Sequence, residues 1–244
     1  MIGQNLQFLT SQSEVDKMNT DFYGRIKFPW PPQSFEKITR RSFWYKMLAQ
    51  DLGYWNNQIL AQNSKIWVAG CGTNQALFTA LKFPDSEIIG SDLSKESLEQ
   101  CKKNASQLNI NNLELRNESI NEISYNADFD YVICTGVIHH NHNPEISLKK
   151  LSDSLKPSGI MELMVYNTFH RIATSSFQLA VRTLIRSEIK PNFEEELSAA
   201  KLIVNSYRGE NNNMKMLLES IRHMPDAAFS GALLQPVEHC QSPS

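Results

Sequence analysis

The sequence predicts an α/β fold, a Rossmann-like open sheet that is mostly parallel and carries helices on both faces. Short apolar runs alternate with amphipathic helical patterns over residues 56–167, and this alternation is typical of parallel strands joined by helices. After residue 167 only helical patterns follow. With 244 residues, of which 41% are hydrophobic, the chain can bury one full core and an appendage. We therefore expect a core at 56–167, an N-terminal segment at 1–55 and a helical C-terminal extension at 168–244.

The N-terminal segment is predicted to hold an aromatic, proline-containing stretch followed by a helix. Its first 20 residues are polar, and we expect them either to have little order or to dock weakly. The stretch that ends in Pro-Trp-Pro-Pro favours extended backbone, because proline fixes φ and cannot donate a hydrogen bond. Ser34 can then cap a helix that runs to about Asp51 and presents an apolar stripe.

The core is predicted to contain five strands. The first two, at Ile66–Ala69 and Ile88–Ser91, are each followed by a helix with a hydroxyl side chain at its cap, Thr73 and Ser94. Asn143-Pro144 has the pattern of a third capped helix, with proline at its first position. The remaining strands are predicted near Leu113–Arg116, at Tyr131–Thr135 and at Ile160–Tyr166.

The C-terminal extension is predicted to be helical at first and irregular at its end. The periodicity predicts helices at about Ile172–Ser187, Phe193–Asn205 and Asn213–His223. From Met224 the tail contains prolines and shows no helical period, so we expect it to be irregular.

Charge and cysteine usage exclude several classes of protein. The chain has 24 basic and 26 acidic residues, a net charge of −2, so it is not predicted to bind nucleic acid. Its four cysteines contain no CxxC pair, which disfavours a zinc site and disulfides and suits a reducing compartment. The sequence shows neither a signal pattern nor an apolar run that could span a bilayer, and we expect a cytoplasmic location.

A glycine turn after the first strand is the strongest functional signal. Gly70-Cys71-Gly72 follows that strand, and Asp92 lies at the tip of the second strand. This arrangement predicts an adenosine-bearing cofactor. The glycines leave backbone without side chains at the turn, and the carboxylate can accept hydrogen bonds from ribose hydroxyls. A nicotinamide cofactor is disfavoured because Gln75 occupies the position of the third glycine. A P-loop is excluded, because no Gly-Lys-Ser/Thr follows.

Four motifs in order extend this signal. They are Val-Ala-Gly-Cys-Gly-Thr (68–73), Gly-Ser-Asp-Leu-Ser (90–94), Phe-Asp-Tyr-Val-Ile-Cys-Thr-Gly-Val-Ile-His-His (129–140) and Leu-Lys-Pro-Ser-Gly-Ile (155–160). Together they resemble the class I S-adenosylmethionine-dependent methyltransferase family, in particular its small-molecule methyltransferase-like branch. That family normally ends its sheet with an antiparallel strand pair, and no such pair is predicted after the fifth strand here.

The resemblance implies S-adenosyl-L-methionine as cofactor and a set of binding residues. Three of these positions depart from the family pattern: Ala69 and Ser119 stand where many members carry an acid, and Asn74 where they carry a glycine. The cofactor-binding residues that the resemblance implies are Ala69, Gly70, Cys71, Gly72, Asn74, Asp92, Leu93, Ser119, Ile120, Thr135, Gly136 and Val137.

The catalytic candidates are His140 and Tyr23. His140 follows the fourth strand and would act as a general base, the alternative being that its loop only shapes the pocket. Tyr23, with Phe28 and Trp30, would form an aromatic lid over the sulfonium, or else pack the N-terminal segment on the sheet. Arg171 would clamp an acidic substrate or lie at a solvated helix start.

The sequence therefore predicts methyl transfer from S-adenosylmethionine to an unidentified small-molecule acceptor. A protein side chain stays open as the acceptor, and no metal is predicted, since the histidines near position 140 lack the spacing of ligands on a helix. The alternative function is a non-catalytic methyltransferase-like partner or scaffold, because the usual final strands are missing. An exposed sheet edge also predicts a homodimer that covers it.

Overall fold

The computed structural model describes residues 11–26, 60–185 and 192–240. The helix predicted from Ser34 to Asp51, together with Phe28 and Trp30, lies outside these residues.

The predicted fold class is confirmed. The described residues form a five-stranded parallel sheet in the order β3-β2-β1-β4-β5. After β3, at one edge, the chain returns to the centre and pairs β4 with β1, so a crevice opens between β1 and β4 at their carboxyl ends. The strands are β1 Lys65–Ala69, β2 Glu87–Asp92, β3 Leu113–Asn117, β4 Phe129–Thr135 and β5 Leu155–Met164.

Eight α-helices and one short 3-10 helix, Ile138–His140, accompany the sheet in the described residues. Ser94 and Asn143 cap their helices as predicted. The cap expected at Thr73 is wrong by one residue: the turn continues through it, and Asn74 occupies the cap position without a side-chain bond. The α-helices are α1 Gln12–Ile26, α2 Gln75–Lys82, α3 Lys95–Gln107, α4 Pro144–Ser154, α5 Thr168–Ile185, α6 Phe193–Ser206, α7 Asn212–Ile221 and α8 Asp226–Leu233.

Two expectations about the chain ends are wrong. The first is that the polar N-terminus has little order, since residues 12–20 belong to α1; residues 1–10 lie outside the described residues. The second is that the tail from Met224 is irregular, since it contains α8. Both helices owe their stability to long-range packing: Val15 of α1 lies against Val237, and Phe22 joins a cluster with Phe229 of α8.

The sheet and the extension each have an apolar core. One face of the sheet buries Val68, Ile88 and Ile133, and the other face buries Trp67 and Phe129. The cluster of the extension comes from α5–α8 and also includes Phe22. The helices after β5 are thus a packed unit joined to α1, while the exact domain boundaries stay a prediction.

β5 is an edge strand in the described residues, because only β4 pairs with it. Leu163 and Met164 near its end are 38% and 44% exposed. The homodimer is predicted because an exposed edge strand has free backbone groups that a partner could cover; the dimer itself stays a prediction.

No helix in the described part of the chain is both long and apolar enough to cross a membrane.

Gly90→Ala should destabilise the protein by about 1–3 kcal/mol, because α2 packs directly on β2 at this point. A Cβ at position 90 would lie 2.5 Å from Cβ of Ala76, an atom that cannot swing aside. Urea denaturation measures the effect. Gly24→Ala is the matched control: the nearest atom is a Glu96 carboxylate oxygen at 3.1 Å, the end of a flexible side chain. That helical substitution should be neutral or stabilise by up to about 1 kcal/mol, and equal losses in both variants would contradict the packing argument.

Candidate functional site

A cavity of about 420 Å³ lies at the carboxyl edge of the sheet. Ala69 and Asn74 do not line it: Ala69 is buried within β1, and Asn74 accepts a hydrogen bond from Asn104 at 2.7 Å. Both catalytic candidates, Tyr23 and His140, line it. The other predicted residues in its wall are Gly70, Cys71, Gly72, Asp92, Leu93, Ser119, Ile120, Thr135, Gly136 and Val137.

The glycine turn forms one wall of the cavity in a conformation that side chains would disfavour. Gly70 and Gly72 have φ of +67° and +53°. A Cβ on Gly70 would also lie 2.5 Å from a methyl carbon of Val137. The Cys71 amide donates to the carbonyl of Ser91, at 2.9 Å, and ties the turn to β2. Both glycines are therefore needed for this bare corner of backbone.

Asp92 is held at the opposite side of the same corner. The amide of Gly72 donates to one carboxylate oxygen and the amide of Ser94 to the other, each at 2.8 Å. Burial raises the pKa of Asp92, and these backbone hydrogen bonds oppose the rise. The carboxylate keeps further acceptor capacity, so it can receive a hydrogen bond from a ligand hydroxyl.

The wall next to β3 is connected to α1. The hydroxyl of Ser119 donates to a carboxylate oxygen of Asp16 at 3.0 Å, and Ile120 is buried beside it. Glu118 also lines the cavity and accepts a hydrogen bond from the Tyr125 hydroxyl at 2.5 Å. Ser119 is thus already engaged as a donor, and it keeps the capacity to accept from a ligand.

The end of β4 closes the cavity opposite Asp92. Gly136 has φ of +77°, and its amide donates to the carbonyl of Met164 at 3.1 Å. The side chain of Gln75 donates to the Thr135 hydroxyl and so joins α2 to β4. Sequence reasoning used Gln75 only to disfavour NAD, whereas the structure places it in the cavity wall.

His140 lies in the 3-10 helix after β4 and is almost fully buried. Its Nδ1 is 2.5 Å from the carbonyl oxygen of Val237. Burial lowers the pKa of His140 to about 4, so the ring is neutral near pH 7. Tyr23 of α1 faces it with 6.3 Å between ring centroids, and burial raises the pKa of Tyr23. The two catalytic candidates therefore lie together at one end of the cavity.

The neighbouring histidines do not form a metal centre. His139 is buried with its ring centroid 3.9 Å from that of Tyr166, and burial lowers its pKa to about 2. Neither ring nitrogen of His139 has a hydrogen-bond partner among the described residues. The backbone of His142 faces Gln12 of α1. Within the described ranges, no three His, Cys, Asp or Glu side chains are arranged to hold a metal ion.

Four further residues line the cavity; the sequence placed the segment that contains Tyr166 at this crevice but did not single out the other three. Asn19 lies on α1, Tyr166 follows β5, Gly231 is on α8, and Gln235 follows it. Asn19 also donates to the backbone carbonyl of His140 at 2.9 Å. No sequence signal marks Asn19, Gly231 or Gln235, because α1 and α8 reach the sheet only through long-range packing.

Arg171 does not point into the cavity as a clamp for an acidic substrate. Its guanidinium forms two hydrogen bonds with the carboxylate of Glu238, at 2.8 and 2.7 Å, in a buried ion pair. Among the described wall residues there is no lysine or arginine, while Asp92 and Glu118 are acidic. The wall therefore favours cationic or neutral ligand groups.

Comparison with known proteins identifies the family. A family profile described as a methyltransferase domain matches residues 62–220. The chain belongs to this methyltransferase family. The family match includes the glycine turn, Asp92 and the end of β4, which line much of the cavity, whereas the wall residues of α1 and α8 lie outside it. The predicted family is thereby confirmed.

Individual relatives of this methyltransferase-family chain are distant. It is 29% identical over 199 residues to an uncharacterized protein of Rickettsia prowazekii, covering 78% of this chain and 74% of the relative. It is 25% identical over 181 residues to an uncharacterized protein of Synechococcus, covering 71% of this chain and 43% of the relative.

One solved structure shares the fold over most of the chain. It is PKMT2 from Rickettsia typhi in complex with AdoHcy, with a TM-score of 0.63 and 25% identity, covering 88% of this chain and 42% of that one. The methyltransferase-family chain thus spans less than half the length of this structure and of the cyanobacterial relative.

Acid should destabilise the fold through the buried histidines. The unfolded chain binds a proton on histidine near pH 6.5, but the folded protein binds one on His140 only near pH 4. Stability from this group is complete above pH 6.5 and falls below it, by about 2 kcal/mol at pH 5. Urea denaturation at several pH values measures this, and His140→Gln should flatten the dependence. The exposed His170→Gln should not, and equal slopes in all three proteins would contradict the assignment.

Proposed function

We propose that this protein transfers the methyl group of S-adenosylmethionine to a small-molecule acceptor. The observation that carries the proposal is the corner formed by Gly70, Gly72 and Asp92. There a carboxylate that can still accept from a ligand stands beside Gly70, where a Cβ would clash with Val137, and Gly72, whose positive φ disfavours a side chain. Membership of the methyltransferase family and the likeness to a structure that contains AdoHcy support it.

The residues of the cavity fit this cofactor. Asp92 would accept hydrogen bonds from the two ribose hydroxyls, with Leu93, Ser119 and Ile120 against the adenine. The backbone of the glycine turn, which leads into α2, would receive the amino-acid end. Gly136 would lie near the sulfur, where its lack of a side chain leaves room for the methyl group.

Methyl transfer requires the protein mainly to align the methyl donor with the acceptor. When bound, the cofactor supplies a methyl carbon on a sulfonium; the acceptor's electron pair forms the new bond, and sulfur keeps the pair of the broken bond. Tyr23 and Tyr166 line the cavity and can hold an acceptor while they exclude water. Holding two reactants in line contributes roughly 7 kcal/mol or more to lowering a barrier. His140, neutral near pH 7, can take a proton from the acceptor.

We further infer that the acceptor is neutral or cationic and presents a nitrogen or hydroxyl. None of the described wall residues is a lysine or arginine. A carboxylate or phosphate on the acceptor would therefore lose its hydration without gaining a cationic partner. The faces of Tyr23 and Tyr166 suit a positively charged or apolar group. The cavity lies under α1 and α8, which supports a small molecule over an extended chain.

Asp92→Ala should weaken binding of S-adenosylmethionine by about 100-fold or more, because two charge-assisted hydrogen bonds of about 1.5–3 kcal/mol each are lost. Isothermal titration calorimetry with S-adenosylmethionine and with S-adenosylhomocysteine measures this. Asp85→Ala, at an exposed carboxylate in the turn before β2 and so at the opposite edge of the sheet, is the control and should bind as the unchanged protein does. A folded unchanged protein that binds neither compound would favour the non-catalytic scaffold instead.

Methyl groups should appear on low-molecular-weight material. We would incubate the protein with S-adenosylmethionine labelled in its methyl group and a dialysable cell extract, then with the retained protein fraction of the same extract. Label is expected in a dialysable product that chromatography separates from S-adenosylmethionine, and this product should be absent with Asp92→Ala. Label in the protein fraction alone would show that a side chain is the acceptor and would contradict the small-molecule proposal.

A further inference from the structure

The C-terminal strap, residues 234–240, crosses the loop that follows β4. Its backbone contacts this loop twice: the carbonyl of Val237 meets Nδ1 of His140 at 2.5 Å, and the amide of His239 donates to the carbonyl of His139 at 2.7 Å. The side chain of Val237 is buried against Val15 of α1. The strap is therefore the surface on which the His140 ring rests.

A buried ion pair fastens the strap to α5. The Arg171 guanidinium donates to both carboxylate oxygens of Glu238, and the two side chains are only 11% and 5% exposed. Burial alone would raise the pKa of Glu238, but the hydrogen bonds and charge of Arg171 lower it. Gln178 adds a third contact to the same carboxylate at 3.4 Å. An ion pair that is shielded from water in this way fixes the strap in one place.

Arg171 also connects this pair to the cavity wall. Its guanidinium lies over the ring of Tyr166, 4.3 Å from the centroid. Tyr166 lines the cavity and contacts both buried histidines, with its ring centroid 5.8 Å from that of His140. Arg171 therefore contacts both the strap, through Glu238, and Tyr166, whose ring packs against His140.

A backbone carbonyl can only accept a hydrogen bond, so the nitrogen that faces it must carry the proton. The contact with Val237 therefore places the single proton of neutral His140 on Nδ1 and leaves the lone pair on Nε2. The charged or titratable groups around this ring come from every element packed on it. They are His139, Tyr23 of α1, Tyr166 after β5, Arg171 of α5, and Glu238 and His239 of the strap.

We propose that Glu238 is a positioning residue, which holds the strap so that the Val237 carbonyl keeps the proton of His140 on Nδ1 and leaves Nε2 free to accept the proton of the methyl acceptor. The inference rests on the proposed function for the identity of that acceptor. In the reaction the acceptor's proton moves to the Nε2 lone pair, and the resulting imidazolium returns it to water. If Nε2 carried the proton instead, His140 could only donate at that position.

Nitrogen-15 NMR of histidine-labelled protein tests the assignment without any ligand. The shifts of Nδ1 and Nε2 distinguish a protonated nitrogen from one with a lone pair, and His140→Gln identifies the signal. Near pH 7 the unchanged protein should show one tautomer, with the proton on Nδ1. Glu238→Gln should give a mixture of both tautomers, because the strap loses its charged anchor. The control Glu219→Gln, on the exposed face of α7, should leave the single tautomer.

Three results would overturn the proposal: a proton on Nε2 in the unchanged protein, a single Nδ1 tautomer that persists in a folded Glu238→Gln variant, or a mixture in the Glu219→Gln control. If Glu238→Gln does not fold, Arg171→Lys serves in its place. It keeps the charge but loses the two-fold hydrogen bonding, and it should show the same mixture in milder form. Calorimetry with S-adenosylhomocysteine is a separate arm: absence of binding by a protein with the expected tautomer would refute the proposed function and leave the positioning role standing.

Discussion

The site depends on the carboxylate of Asp92, which joins the ends of two strands. Its oxygens accept from the amide of Gly72, in the turn after β1, and from the amide of Ser94, at the start of α3. One side chain therefore sets the distance between the glycine turn and the tip of β2. Burial makes the carboxylate harder to ionise, and the two amides offset this cost. The same arrangement leaves it capable of receiving a diol.

Most of the sheet and the part of the cavity wall formed by the glycine turn and Asp92 could be predicted from the sequence. Strands and their helices have local signatures, namely apolar runs, caps at Ser94 and Asn143, and a glycine turn. Asp92 could be placed because it directly follows an apolar run, and parallel strands bring their carboxyl ends to one edge. These features depend on near neighbours in sequence, and therefore one chain is sufficient to recognise them.

The contributions of Asn19, Gly231 and Gln235 to the cavity wall could not be predicted, because these residues lie in parts of the chain that are distant from the strands. Arg171 was expected to meet substrate or solvent, but its partner Glu238 is 67 residues away, and no local pattern connects them. Gln235 and Asn19 likewise reach the cavity only because α8 and α1 pack against each other. α8 has only 8 residues, which is too few for a helical periodicity to be recognised in the sequence. Tertiary contacts there override weak local preference.

The position of α1 has a consequence for how variants of this protein should be interpreted. Through Asp16 the helix holds Ser119 in the wall next to β3, and one turn later Asn19 holds the backbone of His140. One helix therefore fixes two separate parts of the same cavity wall. A substitution that tilts α1 will displace Ser119 and His140 together, so simultaneous changes at both residues indicate a displaced helix and not two independent defects.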